Sequence, residues 1–437
     1  MPSILTILKS GAALLALAAA GVHASNPRAP LVVADTEIVT LAVNTTSRVA
    51  AQNFISASSG TFMTVHFGSF NLAEGDKVVV RDVAGSTSYE YTGLGRGNTG
   101  LDGGFYSSRI PGNQAVVEYV PGSGSANGAF GYTVDKITRS STDASASKVC
   151  GLGDQSRPAK CYKDDGVLPL AYTKSRAVAR LLIDGGEGCT GFLIGNNGYL
   201  VTNHHCIFND ERATHTDFEF DAEGASCSDE CKTWGACPGK VVATSAQLIA
   251  LDETLDYALV KLKTTVDLSQ YGYLQIRTSG PVQNEAIYIP GHPQFWAKRI
   301  AEYVDSGDFA RVDNVGKGSD CGKYTVSYDA DTQGGSSGSP VIADSDNLVV
   351  ALHFCGFSDR CLNGGTDIRS VLWDWKNKGV IPDNAVLDPT APIPDGPWIP
   401  GYSGTPAPST VAPSPTPTTP APTTNACRIF TTEARCL

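Results

Sequence analysis

From about Pro30 to Thr138, short runs of alternating apolar and polar side chains are each cut off by Gly, Asn, Asp or Ser; residues 62–67, 77–81, 88–91 and 115–120 are examples. A period of two puts neighbouring side chains on opposite faces of a strand, and the breakers supply the turns, so this stretch predicts an all-β sandwich or jelly roll. The composition agrees. Only 18% of the 437 residues are charged and 46 are glycine, which does not suit a helical bundle or coiled coil. At roughly 100–200 residues per domain, the length allows two or three units. A net charge of −11 without a Lys/Arg run argues against nucleic acid as a partner, because phosphate neutralisation needs clustered positive charge.

Residues 1–24 carry Lys9, an apolar stretch from Gly11 to Ala20, and small side chains at Val22 and Ala24, the pattern of a signal peptide cut after Ala24. The stretch is shorter than the roughly 18 apolar residues that a membrane span needs. No later segment is longer, so a secreted, extracellular chain without a membrane span is expected, and its 12 cysteines can form disulfides. Asn44-Thr45-Thr46 is a glycosylation sequon, used where the secretory route glycosylates. Residues 404–424 are almost entirely Thr, Pro, Ser and Ala, a stalk-like linker. It leads to the tail 425–437, whose Cys427 and Cys436 close a small loop or pair with another chain. The Ser/Thr/Asp/Ala run after Arg139 ends the sandwich (30–139) and separates it from a second domain (150–385).

The second domain holds three motifs. Gly188-Cys189-Thr190-Gly191-Phe192-Leu193-Ile194 and Tyr199-Leu200-Val201-Thr202-Asn203-His204-His205-Cys206 flank Asn196-Asn197-Gly198, a strong hairpin signal that brings Cys189 and Cys206 onto neighbouring strands for a disulfide. Leu255-Asp256-Tyr257-Ala258-Leu259-Val260-Lys261-Leu262 places a carboxylate at the start of a strand. In Asp331-Thr332-Gln333-Gly334-Gly335-Ser336-Ser337-Gly338-Ser339-Pro340-Val341, glycines on both sides of a serine permit the turn that exposes a hydroxyl and aims backbone N–H groups at one point. A serine hydroxyl is a weak nucleophile; a base within hydrogen-bond reach activates it, and a third group orients the base.

In this order, with spacings of 256 − 205 = 51 and 337 − 256 = 81, the segments resemble the His, Asp and Ser motifs of chymotrypsin-fold (trypsin-like) serine proteases. The Gly-Ser-Ser-Gly-Ser-Pro block, Leu352-His353 and the paired cysteines are similar to those of lysyl and glutamyl endopeptidases. The resemblance implies a double six-stranded β-barrel with a C-terminal helix. Ser337 would be the nucleophile, His205 rather than His204 the base, Asp256 its orienting partner, and Gly335 and Ser337 the oxyanion-hole donors. Substrates would be proteins or peptides, with no cofactor and no metal. The sandwich resembles a CUB-like domain in its order of features, from Phe67-Gly68-Ser69-Phe70-Asn71-Leu72 to Gly128-Ala129-Phe130-Gly131-Tyr132. That implies a recognition or positioning module for carbohydrate or protein.

Ser336 stands where trypsin-type zymogens carry the Asp that captures a freed N-terminus, so that activation route is excluded. Asp331, six residues before Ser337, suggests a preference for Lys or Arg at P1. Glutamyl endopeptidases instead read a substrate carboxylate with a histidine at the place of His353, and the alternative of a Glu preference stays open. Phe354 to Gly356 would edge the pocket. The competing class is a non-catalytic binding or adhesion protein on the same frame. By resemblance, Cys150 would pair with Cys361, and Cys161 with one of Cys227, Cys231 and Cys237, leaving two of those three to join and Cys321 with Cys355. The spacing of Cys227 and Cys231 also suits zinc, but an exported chain favours disulfides. Ile368, Val371, Leu372 and Trp375 predict an amphipathic helix over 366–378.

Overall fold

The computed structural model describes residues 28–123, 128, 130–141, 151–164, 166–316, 321–357 and 361–396. Residues 1–24, expected as a signal peptide, Cys150, the Thr/Pro-rich stretch 404–424 and the tail 425–437 lie outside the described residues.

In the N-terminal part the alternating runs become two antiparallel sheets. Ala34–Asn44, Gly131–Ser140, Phe62–Asn71 and Phe105–Tyr106 lie side by side in that order, with Ile110–Pro111 also on Phe62–Asn71. Ala51–Ser56, Gln114–Val120, Lys77–Asp82 and Ser88–Tyr91 form the second sheet. Their inward residues, among them Val65, Phe67, Phe70, Val80, Val117 and Tyr132, share one buried core. The edge strand Ala34–Asn44 keeps a strict alternation of exposed and half-buried positions, as a strand with one covered face must.

Beyond residue 151 the chain is again mostly β: two eight-stranded sheets curl into the halves of a double β-barrel of the trypsin-like kind. In the first, Lys240–Ala243, Thr216–Phe220, Val178–Ile183, Glu187–Ile194, Tyr199–Thr202, Tyr257–Leu262 and Ala246–Asp252 follow one another. Its eighth strand, Leu31–Val32, comes from the N-terminal part and pairs Leu31 with Gly188 and Val32 with Glu187. The second sheet includes Ile287–Gly291, Pro340–Ala343, Val349–Phe357, Leu362–Asp367 and Thr325–Tyr328.

The Asn-Asn-Gly hairpin forms with Ile194 opposite Tyr199, and Gly195 (φ 62°) and Gly198 (φ 72°) take the left-handed conformation that closes so short a loop. The last helix spans Ile368–Lys378, two residues shorter at its start than the spacing predicts. Thr366 and Asp367 are held in the preceding strand, opposite Leu352 and Ala351, and Asp367 caps the helix by accepting from the Arg369 N–H at 3.0 Å. The helix buries Ile368, Val371, Leu372 and Trp375, with the Trp375 ring edge-on to Tyr257 at 6.1 Å. Among the described residues, no helix is long and apolar enough to cross a membrane.

Sandwich and barrel share a buried, charged seam. Arg96 of the sandwich donates to Asp217 Oδ1 at 2.8 Å, and Arg109 pairs with Glu219, whose second oxygen accepts from Arg180 Nε at 2.9 Å. An apolar patch beside it gathers Val33, Ala34, Phe62, Leu182, Trp234 and Phe295. Disulfides join Cys161 to Cys227, Cys189 to Cys206, Cys231 to Cys237 and Cys321 to Cys355. Cys361 is disulfide-bonded as well.

Candidate active site

Tyr199–Thr202 and Tyr257–Leu262 are paired neighbours, with Thr202 opposite Ala258, so His205 just after the first and Asp256 just before the second emerge at the same end of the sheet. Asn203 Nδ2 donates to the Asp256 carbonyl at 2.9 Å and ties the two exits together. The Asp256 carboxylate accepts twice from His205: from its backbone N–H at Oδ1 (3.0 Å) and from Nδ1–H at Oδ2 (2.9 Å). That second bond fixes the proton on Nδ1 and leaves Nε2 as the acceptor. Asp256 has φ 48°, a left-handed conformation that Asp tolerates better than most side chains. Both residues are buried. His204 lies instead beside Phe208, its ring centroid 6.3 Å away.

The serine turn is laid against the edge of Glu187–Ile194. Gln294 N–H donates to the Gly334 carbonyl (2.6 Å), Thr190 Oγ1 to that of Gly335 (2.8 Å), and Thr190 N–H to that of Ser337 (2.8 Å). The Ser336 N–H donates to the Gln333 carbonyl at 3.0 Å and the Gly338 N–H to the His353 carbonyl at 2.9 Å. Backbone donors are rarely left unpaired when buried. Among the described residues, the Gly335 and Ser337 N–H groups of this turn donate to no protein atom. Only glycine fits at 338: its φ is 89°, and a Cβ would lie 2.0 Å from the Thr190 carbonyl oxygen. His205 Nε2 is buried and bonded to no described atom, and no hydrogen bond joins it to Ser337 Oγ. Such contacts are often long without substrate and tighten on binding.

His353 is buried behind the turn, with Nδ1 and the Tyr328 hydroxyl 2.8 Å apart. Burial, reinforced by nearby His205, pushes its pKa down to about 3, so the ring is neutral. Asp331 is half-buried, and Oδ2 accepts from the Gln155 N–H at 2.9 Å. Burial pushes its pKa up to about 6; the Gln155 bond opposes the rise, and Asp154, Asp305 and Asp329 add to it. Phe354 is buried with Cys321 and Cys355, and the Arg28 guanidinium stands 5.2 Å from its ring centre. Gly356 pairs with Asn363, whose Oδ1 would lie 2.3 Å from any Cβ placed there. Asn44, exposed at the end of its strand, accepts from the Thr46 N–H at Oδ1 (2.9 Å).

Cys189, His205 and Cys206 bring their donor atoms together as a metal site would. Both sulfurs are spent in the Cys189–Cys206 disulfide, so no thiolate is on offer. Sequence reasoning assigned no role to Thr190 or Gln294. Thr190 sits inside the first motif, where its two bonds to the serine turn had no visible signal, and Gln294 lies in no motif.

Residues 189–352 match the family described as the trypsin-like peptidase domain. The secreted RxLR effector protein 73 of Plasmopara viticola is 41% identical over 76% of this chain and 83% of its own length. The uncharacterized protein y4fB of Sinorhizobium fredii is 31% identical over 44% of this chain and 30% of its own length. A solved structure of a Glu endopeptidase is 19% identical over 53% of this chain and 99% of that one, with a TM-score of 0.37. The chain thus carries a trypsin-like peptidase domain and belongs to the same protein family as the Plasmopara viticola protein.

Proposed function

We propose that this chain is a secreted serine endopeptidase. Ser337 Oγ attacks the scissile carbonyl carbon while His205 Nε2 takes its proton, and Asp256 holds the tautomer and stabilises the imidazolium. The carbonyl oxygen becomes an oxyanion between the Gly335 and Ser337 N–H groups. The intermediate collapses to an ester on Ser337, and His205 returns the proton to the leaving amine. Water, deprotonated by His205, then attacks the ester and regenerates Ser337. The observation that carries this reading is the hydrogen-bond pattern of the serine turn: the carbonyls from Gln333 to Ser337 are all held, and the Gly335 and Ser337 N–H groups left over are those the chemistry needs. The reaction uses no cofactor.

Asp331 is the group we assign to a Lys or Arg at P1. A half-buried carboxylate with one N–H donor gains most from an arriving cation. A Glu preference through His353 would rest on a single N–H of that buried, neutral ring, because Nδ1 is already engaged with the Tyr328 hydroxyl. Phe354 and Gly356 would line the pocket edge. A relative named as secreted supports export, with residues 1–24 as the signal peptide. In this reading the sandwich 30–139 is a CUB-like recognition module for carbohydrate or protein, Asn44 is glycosylated, and 404–424 links to the tail.

The test is digestion of a denatured protein by the purified chain and by Ser337→Ala, with sequencing of the new C-termini. New ends at Lys and Arg from the wild type, and none from the variant, are expected. Ends at Glu would overturn the P1 assignment, and equal cutting by both proteins would overturn the nucleophile.

A further inference from the structure

The Gly334–Gly335 peptide is gripped by a residue of the loop between Ile287–Gly291 and Arg299–Ala301. All peptide bonds described are trans, so the Gly334 C=O and the Gly335 N–H point in opposite directions from one plane. Gln294 N–H grips that carbonyl at 2.6 Å and thereby sets where the Gly335 N–H points. Gln294 and Phe295 themselves have φ 53° and 55°, a pair of left-handed residues that persists only where packing holds it.

Part of what holds it comes from the sandwich. The Phe295 ring lies 5.9 Å from Phe62 of the strand Phe62–Asn71, within the buried patch of Val33, Ala34, Leu182 and Trp234. Arg109, also of the sandwich, stands 5.7 Å from the Phe62 ring centre and donates to the Gly235 carbonyl at 2.8 Å, while the Gly235 N–H donates to the Phe295 carbonyl at 3.0 Å. Arg180, which shares Glu219 with Arg109, stands 4.9 Å from the Phe295 ring centre. With Ser336 in place of an acidic residue, no carboxylate precedes the nucleophile to lock the turn from inside.

We infer that the N-terminal sandwich is the positioning element of the oxyanion hole, acting from Phe62 through Phe295 and Gln294 on the Gly334–Gly335 peptide. This rests on the serine-peptidase reading and adds a role for the sandwich that does not depend on any ligand it binds. Phe62 belongs to the interface patch and not to the sandwich core, so its truncation leaves that core intact.

The experiment compares the full chain with Phe62→Ala, each normalised to titrated active sites. Three quantities are read: the acylation rate with p-nitrophenyl acetate, the inhibition constant of phenylboronic acid (whose tetrahedral adduct places an oxygen in the hole), and KM for a peptide. Removing an oxyanion donor costs about 10²–10³-fold, so displacing one should slow acylation roughly tenfold and weaken the boronate by a similar factor, with KM nearly constant. Phe62→Tyr, which keeps the ring, should restore most of the rate. If Phe62→Ala does not fold, Phe62→Val takes its place, with a loss of at least about threefold expected. Wild-type acylation and boronate affinity in a folded variant overturn the inference alone. A wild-type chain that is never acylated overturns the underlying reading and, with it, this one.

Discussion

At Asp331 a single carboxyl carries opposing demands. Burial raises its pKa from the ordinary 3.8 to about 6. A group raised in the fold contributes stability that is fully present below the unfolded value near 3.8 and lost as pH rises through about 6, so the ionised carboxylate burdens the fold at neutral pH. If that ionised form reads a basic P1, the ratio of kcat/KM for a Lys substrate to that for a Leu substrate will be flat above pH 7. It will then fall about tenfold per unit well below the pKa. The ratio cancels whatever the two substrates have in common, and His353 stays neutral throughout with its pKa near 3. Asp331→Asn should abolish the ratio's pH dependence and raise the urea midpoint at pH 8. A ratio that is constant from pH 5 to 8 in the wild type would remove Asp331 from the pocket.

The strand Thr216–Phe220 shows how one element couples the two parts of the chain. Asp217 and Glu219 sit two residues apart on it, both buried, and respond in opposite ways. For Asp217 burial outweighs Arg96 and raises its pKa; for Glu219 burial pushes up, but Arg109 and Arg180 outweigh it and hold the carboxyl below the usual range. Glu219 therefore contributes stability that is present above about 4.5 and is lost as pH falls through its depressed value. Arg180 is fully buried. Glu219→Gln leaves it, and Arg109, without a full counter-charge, and breaking a buried pair of this kind costs about 3–5 kcal/mol. Urea unfolding at pH 7 should show a loss of that order. A change below about 1 kcal/mol would mean that the seam is solvated in solution.

Over the whole molecule, what was legible in the sequence was local. Alternation over 62–67 and 115–120 marks strands because the period of two is written into adjacent residues. Asn196-Asn197-Gly198 marks a hairpin, and the glycines around Ser337 mark a tight turn, because turn chemistry needs those residue types in place. The mostly-β class follows from these together, whereas the double barrel was implied only by the resemblance of the three motifs to chymotrypsin-fold proteases. The Gly334–Gln294 bond was illegible, since a backbone N–H donor leaves no trace in the residue type, and so was Phe62 against Phe295, because an aromatic residue on an alternating strand looks the same whether it faces its own core or a neighbour. The eighth strand Leu31–Val32 was hidden for a related reason: two residues carry no period, and their pairing is decided by the open edge of Glu187–Ile194.

In the proposed mechanism His205 and Asp256 activate Ser337 only in the folded chain. Incubation with a fluorophosphonate, followed by intact mass and peptide mapping, tests it most directly. One adduct per chain is expected, located on Ser337 and lost when the protein is first unfolded in urea. A folded chain that takes up no adduct, or takes it at another serine, would contradict it.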